Sequence, residues 1–164
     1  MSGFPSLKPF ATCLASIDPG IPIGPLSSGG SQIFVNVPSA TIKSEPGVSP
    51  SFNASIVMGG DWIHADPDGK HMRLDVRTVI KTDDGEHLTY VYNGIINVTE
   101  GITKILSGAP DAKTVDFGDV FATPKFITGS EKYKYLENCV FVAGGRFVVT
   151  DSGVQVEYKI SQVV

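Results

Sequence analysis

Asp61 and Asp75 are the residues with the chemistry to move a proton, and Arg77 the one to polarise a carbonyl. A carboxyl group held against a substrate serves as a general acid or base. A guanidinium beside a carboxylate keeps it ionised, or presents a planar fork of donors to a carbonyl or carboxylate. Asp75 and Arg77 lie two residues apart in HMRLDVRTVIK, residues 71–81, so on a strand they share one face. The expected placement is the interior of a barrel, with the two heads paired; on the outer face the same residues form an ordinary surface ion pair. Asp61 follows Gly59-Gly60, read as a turn that tips a strand end into a cavity mouth. There Asp61 is the proton-transfer candidate and Trp62 a flat apolar wall for a conjugated ligand. The plainer alternative makes Asp61 a turn cap and Trp62 a core anchor.

Further polar residues surround this set. Tyr90 and Tyr92 share a parity in residues 87–93 and offer hydroxyls to a cavity, unless they are ordinary strand aromatics. Lys125 and Tyr133 are candidate donors at its rim, and His64 a candidate ligand contact. His64, Asp66 and His71 flank Pro67-Asp68-Gly69, but their spacing matches no standard ligand set, so no metal is expected. The chain has no Gly-x-Ser-x-Gly, no cysteine with a reason to be activated, and no glycine loop leading into a helix to cradle phosphate. Covalent catalysis, phosphoryl transfer and nicotinamide chemistry are therefore not expected, and no cofactor is.

Short strands must position these groups. Eighteen glycines and eleven prolines in 164 residues mean many turns. Strands are expected at 10–18, 32–37, 52–58, 71–81, 87–93, 119–128, 138–144, 146–151 and 154–163, with loops over 19–31 and 39–51. Asp83-Asp84-Gly85 and Asp151-Ser152-Gly153 read as hairpin turns. One helix is expected at 99–107, with Thr99 as its N-cap, Ile102, Ile105 and Leu106 as its apolar stripe, and Gly108 as its stop. The pattern fits one domain over residues 1–164, an antiparallel β-barrel or a strongly curled sandwich; a barrel of about eight strands has an interior that holds side chains or one small ligand.

A net charge of −4 argues against nucleic acid as a partner. No stretch reaches the ~18–20 apolar residues of a membrane span, and residues 1–17 hold no apolar core of a secretory signal, so a cytoplasmic protein is expected. In that compartment Cys13 and Cys139 are expected as reduced thiols. The partner expected is a small hydrophobic substrate, with a homodimer left open.

The motifs GGDW (59–62), PDG (67–69), LDVR (74–77) and TDDG (82–85) resemble a family of small bacterial and fungal proteins classed as domain of unknown function 3237. ATPKFITG (122–129), YKYLEN (133–138) and CVFVAGG (139–145) are similar to its C-terminal signature, and IPIGPLSSGG to its opening loop. The chain departs from the family's Tyr-x-Trp-Leu-Asn run, with Tyr135 in place of the Trp and Glu137 in place of the Asn. The resemblance implies a single lipocalin-sized antiparallel β-barrel with a central cavity. Some fungal members look like cyclases or isomerases of polyketide-like secondary metabolites. The activity expected is thus a cyclase, isomerase or hydro-lyase without a cofactor, with a non-catalytic carrier as the alternative.

Overall fold

The computed structural model describes residues 3–164. In chain order its elements are β1 (Leu7–Ser16), β2 (Ile21–Pro25), β3 (Ser31–Asn36), β4 (Ser39–Ser44), β5 (Asn53–Ala65), β6 (His71–Thr82), β7 (His87–Asn97), α1 (Glu100–Leu106), β8 (Val120–Ile127), β9 (Phe141–Thr150) and β10 (Gly153–Val163), with a 3₁₀ turn at Lys134–Asn138 between β8 and β9. Eight strands close an antiparallel ring, β5-β4-β1-β10-β9-β8-β7-β6 and back to β5. The long β5 makes closure possible. One of its edges follows β6 almost throughout, while the other is shared between β4, opposite Asn53–Ser55, and β3, opposite Gly60–Ala65.

Alternation decides which residues face in. In β8, Val120, Ala122, Pro124 and Phe126 are buried while Phe121, Thr123, Lys125 and Ile127 are exposed, the period of two expected of a sheet wrapped on a core. The two expected loops each hide a strand. In β2, Pro22 and Pro25 cannot serve an inner ladder, which suits its place at the sheet edge. The six-residue β4 owes its existence to pairing with β1 and β5. The strands expected at 138–144 and 146–151 are one continuous β9. Its Gly145 is required by packing, since a Cβ there would lie 2.5 Å from the Tyr158 ring.

Both ends of the barrel are covered. At one end Phe10, Phe52, Phe126 and Phe141 form an aromatic floor with ring centroids 4.8–6.2 Å apart. The 3₁₀ turn closes it with Leu136, while the Tyr133 ring meets Phe52 edge-on. At the other end lies α1, as expected from Thr99, whose Oγ1 accepts the Ile102 N–H at 3.3 Å. Ile102 and Ile105 point into the core.

The β6–β7 turn is tied to the floor through Asp84. Its carboxylate accepts from the Lys132 ammonium at 2.6 Å, the Thr82 hydroxyl and the Tyr133 hydroxyl at 3.0 Å. Bonding from Lys132, then Thr82, holds its pKa down at about 2. A depressed carboxylate pKa means stabilisation that is present above the unfolded pKa of ~3.9 and lost as pH falls through the folded value. Asp84→Asn is therefore expected to flatten the loss of thermal stability between about pH 4 and pH 2, measured by melts across that range. Melts of wild type and variant that run parallel there remove Asp84 from the acid response.

Candidate functional site

The barrel encloses a narrow cavity, with about 60 Å³ of room for the centre of a water-sized sphere. Its walls are mostly aliphatic, and its polar groups are Asp61, Thr78, Tyr90, Tyr92, Tyr158 and the Cys13 thiol. Asp61 reaches it because of a β-bulge. Ile56 pairs with Ile80 and Met58 with Val79, so Val57 is an extra residue that reverses the parity of β5. Before it Ala54 and Ile56 face in; after it Asp61 and Ile63 do. Gly59 and Gly60 lie within this strand rather than in a turn. Gly59 has φ +148°, and a Cβ on it would lie 2.4 Å from the Arg77 carbonyl; one on Gly60 would strike the Phe34 ring at 2.5 Å.

Asp61 is 8 % exposed, and its Oδ1 accepts the Asp75 backbone N–H at 2.9 Å. Burial pushes its pKa up to about 7; the bond from that N–H opposes the rise, and the Asp75 carboxylate adds to it. Asp61, Val76 and Tyr92 are successive cross-strand neighbours, which sets Asp61 and Tyr92 at one height on either side of Val76. Tyr158 enters from β10, its ring meeting that of Tyr92 edge-on with centroids 5.3 Å apart. Burial raises the pKa of Tyr90, Tyr92 and Tyr158, so all three stay protonated, and pushes the Cys13 thiol up to about 12. Among the described residues the Tyr90 hydroxyl has no hydrogen-bond partner. The Thr78 hydroxyl does: it donates to the Tyr90 carbonyl at 2.7 Å.

The structure thus brings Asp61, Tyr90 and Tyr92 to one cavity and puts the other expected site residues elsewhere. Asp75 and Arg77 do interact, with Nε 3.7 Å from Oδ1, but on the outer face, where their side chains are 49 % and 73 % exposed. Leu74, Val76, Thr78 and Ile80 take the inward parity, being the set whose burial is favourable. Asp75 serves the interior through its N–H rather than its carboxylate. Trp62 is also outside, turned there by the bulge, with its ring 4.8 Å from Phe34. His64 is half-buried on the outward parity of β5, its Nε2 3.8 Å from Asp66. Lys125 is exposed on the outer face of β8. Tyr133 is buried, but at the floor, where its hydroxyl is committed to Asp84.

Tyr158 and Cys13 are cavity residues not singled out from the sequence. The signal for Tyr158 lay in β10, where it interrupts the apolar stripe of Val154, Val156 and Ile160 with a hydroxyl. Outside the cavity, ligand atoms of Asp66, Asp68 and His71 lie within 4.8 Å of one another. They are already engaged: Asp68 caps the Lys70 and His71 N–H groups and meets His71 Nδ1, and Asp66 accepts from Arg73. Among the described residues no helix is long and apolar enough to cross a membrane.

Solved structures share this barrel end to end. A protein of unknown function from Rhodopseudomonas palustris is 21 % identical, with a TM-score of 0.82, covering 99 % of this chain and 100 % of its own. One from Clostridium acetobutylicum is 24 % identical, with a TM-score of 0.75, covering 98 % and 100 %. A structure described as an enzyme from Penicillium herquei is 17 % identical, with a TM-score of 0.63, covering 98 % and 95 %. At these identities the likeness shows the fold alone. No curated protein matches the sequence. The family profile described as "Protein of unknown function (DUF3237)" matches residues 5–163, and the chain belongs to that family.

Proposed function

We propose that the protein is an enzyme that works without a cofactor: a cyclase, isomerase or hydro-lyase acting on a small hydrophobic secondary-metabolite intermediate of polyketide type. The observation that carries this reading is Asp61, a carboxyl group in an apolar cavity with its pKa near neutrality. Cyclisation, isomerisation and dehydration each need one proton delivered and one removed, with no net oxidation. A group that is half protonated at working pH does both. Tyr92 and Tyr158 would polarise a substrate oxygen, while the aliphatic walls hold a flexible substrate in reactive shape and exclude water. The cavity lining offers one carboxylate and one thiol as ionisable metal ligands, short of a protein-held set. The Penicillium herquei structure described as an enzyme supports catalysis on this fold. A cytoplasmic location and a homodimer belong to this reading; the exposed Val57, Met58 and Trp62 are compatible with a dimer contact.

The second reading is a carrier, favoured by how few of the lining groups are polar. The two part on one experiment. Purified protein is incubated with the apolar small-molecule extract of its host and followed by mass spectrometry. The enzyme reading expects a new product isomeric with its precursor, or one water lighter. A compound retained by the protein and released unchanged leaves the carrier.

A further inference from the structure

The cavity holds hydroxyl donors and no cation. Among the described residues its lining includes no Lys, Arg or His, and its one carboxyl group is Asp61. Arg77, the residue expected to meet a substrate carboxylate, lies on the outer face. An anion entering this space leaves its hydration shell, finds no counter-charge, and has Asp61 as its only ionisable carboxyl neighbour. A neutral ligand meets neither penalty.

Deeper in, Tyr90 sets a second requirement. It is 3 % exposed, wedged between the Phe126 ring at 5.0 Å and the Tyr92 ring at 5.5 Å, so its phenol has little freedom to turn away. Its hydroxyl sits among the Cys13 thiol and the Tyr158 phenol and bonds to neither. Thr78, the other hydroxyl at this height, is committed to a backbone carbonyl. A buried O–H without an acceptor is costly, and a ligand oxygen is the acceptor that relieves it.

We infer that the cavity selects uncharged, largely apolar ligands carrying a carbonyl-type oxygen, which accepts the Tyr90 hydroxyl near the aromatic floor, and that it rejects carboxylates of the same shape. This rests on the reading of the cavity as a ligand site and names the ligand class for it. Tyr90 is a positioning residue in this scheme, fixing which end of the ligand goes in first.

The test uses three probes of one size, acetophenone, isopropylbenzene and benzoate, titrated by calorimetry or ligand-observed NMR at about pH 6, where benzoate is ionised. In the wild type, acetophenone is expected to bind at least about a hundredfold tighter than benzoate, since the anion has no partner. Tyr90→Phe is expected to weaken acetophenone about 3–10-fold while leaving isopropylbenzene unchanged, the signature of one hydrogen bond rather than altered packing. Benzoate binding as well as acetophenone overturns the inference without any variant. Equal weakening of acetophenone and isopropylbenzene, or of neither, overturns the role of Tyr90 and leaves the ligand site standing. Failure of all three probes to bind removes the ligand site and the inference together.

Discussion

Asp61→Asn is expected to leave the barrel folded and to lower turnover by ~10²–10⁴, the usual contribution of a positioned general acid or base. The substitution is nearly isosteric. The asparagine carbonyl still accepts the Asp75 N–H that Asp61 holds at 2.9 Å, so the interruption in the β5–β6 ladder stays satisfied. Only the exchangeable proton is lost. Stability gives an independent reading of the same group. Burial raises the Asp61 pKa to about 7 from an ordinary carboxylate value of ~3.9, so between those limits the folded chain binds a proton that the unfolded chain has released. Wild-type stability must then fall as pH rises from ~4 to ~7 and level off above, by up to about 4 kcal/mol. Asp61→Asn abolishes that fall: the variant matches wild type near pH 4 and exceeds it near pH 8. Melts over this range, alongside turnover on the converted metabolite, check both halves. Unchanged turnover in a stable variant removes Asp61 from the chemistry. Parallel melting curves remove the shifted carboxyl group.

How Asp61 comes to face inward also explains what the sequence could and could not reveal. The parity of β6, β7 and β10 was readable, because period-two alternation is enforced wherever one face is buried. It correctly grouped Tyr90 with Tyr92, and it separated Leu74, Val76 and Thr78 from Asp75 and Arg77. What alternation lacks is a sign. Placing the charged set inside attributed a function to Asp75 and Arg77 that the cost of burying charge opposes, and the apolar set took the interior. In β5 even the alternation breaks, because Val57 is an extra residue with no side-chain signature of its own. Gly59-Gly60 was the visible trace of that irregularity and resembles a turn as closely as a bulge. The role of Tyr133 was misplaced for another reason: its partner Asp84 lies 49 residues away, a distance that only the closed barrel removes.

Phe52→Ala is expected to cost ~3–5 kcal/mol, the largest stability effect of a single side chain proposed for this protein. Phe52 is wholly buried and precedes β5, outside any strand, so its contribution is packing rather than ladder pairing. Its ring contacts Phe10, Phe126 and Tyr133, from β1, β8 and the segment before the 3₁₀ turn, and thereby joins parts of the chain that share few backbone bonds. Truncation leaves a void under Phe126, whose other side supports Tyr90. The loss should therefore reach the cavity as well as the melting temperature. Phe52→Leu, which fills more of the void, is expected to recover more than half of the stability. Chemical denaturation of both variants, with acetophenone binding measured on the folded protein, separates the effects. A loss below about 1 kcal/mol for Phe52→Ala would mean that the floor collapses onto the gap. Full-strength acetophenone binding in a strongly destabilised Phe52→Ala would show that Tyr90 is held by Tyr92 and its own strand, with no help from the floor.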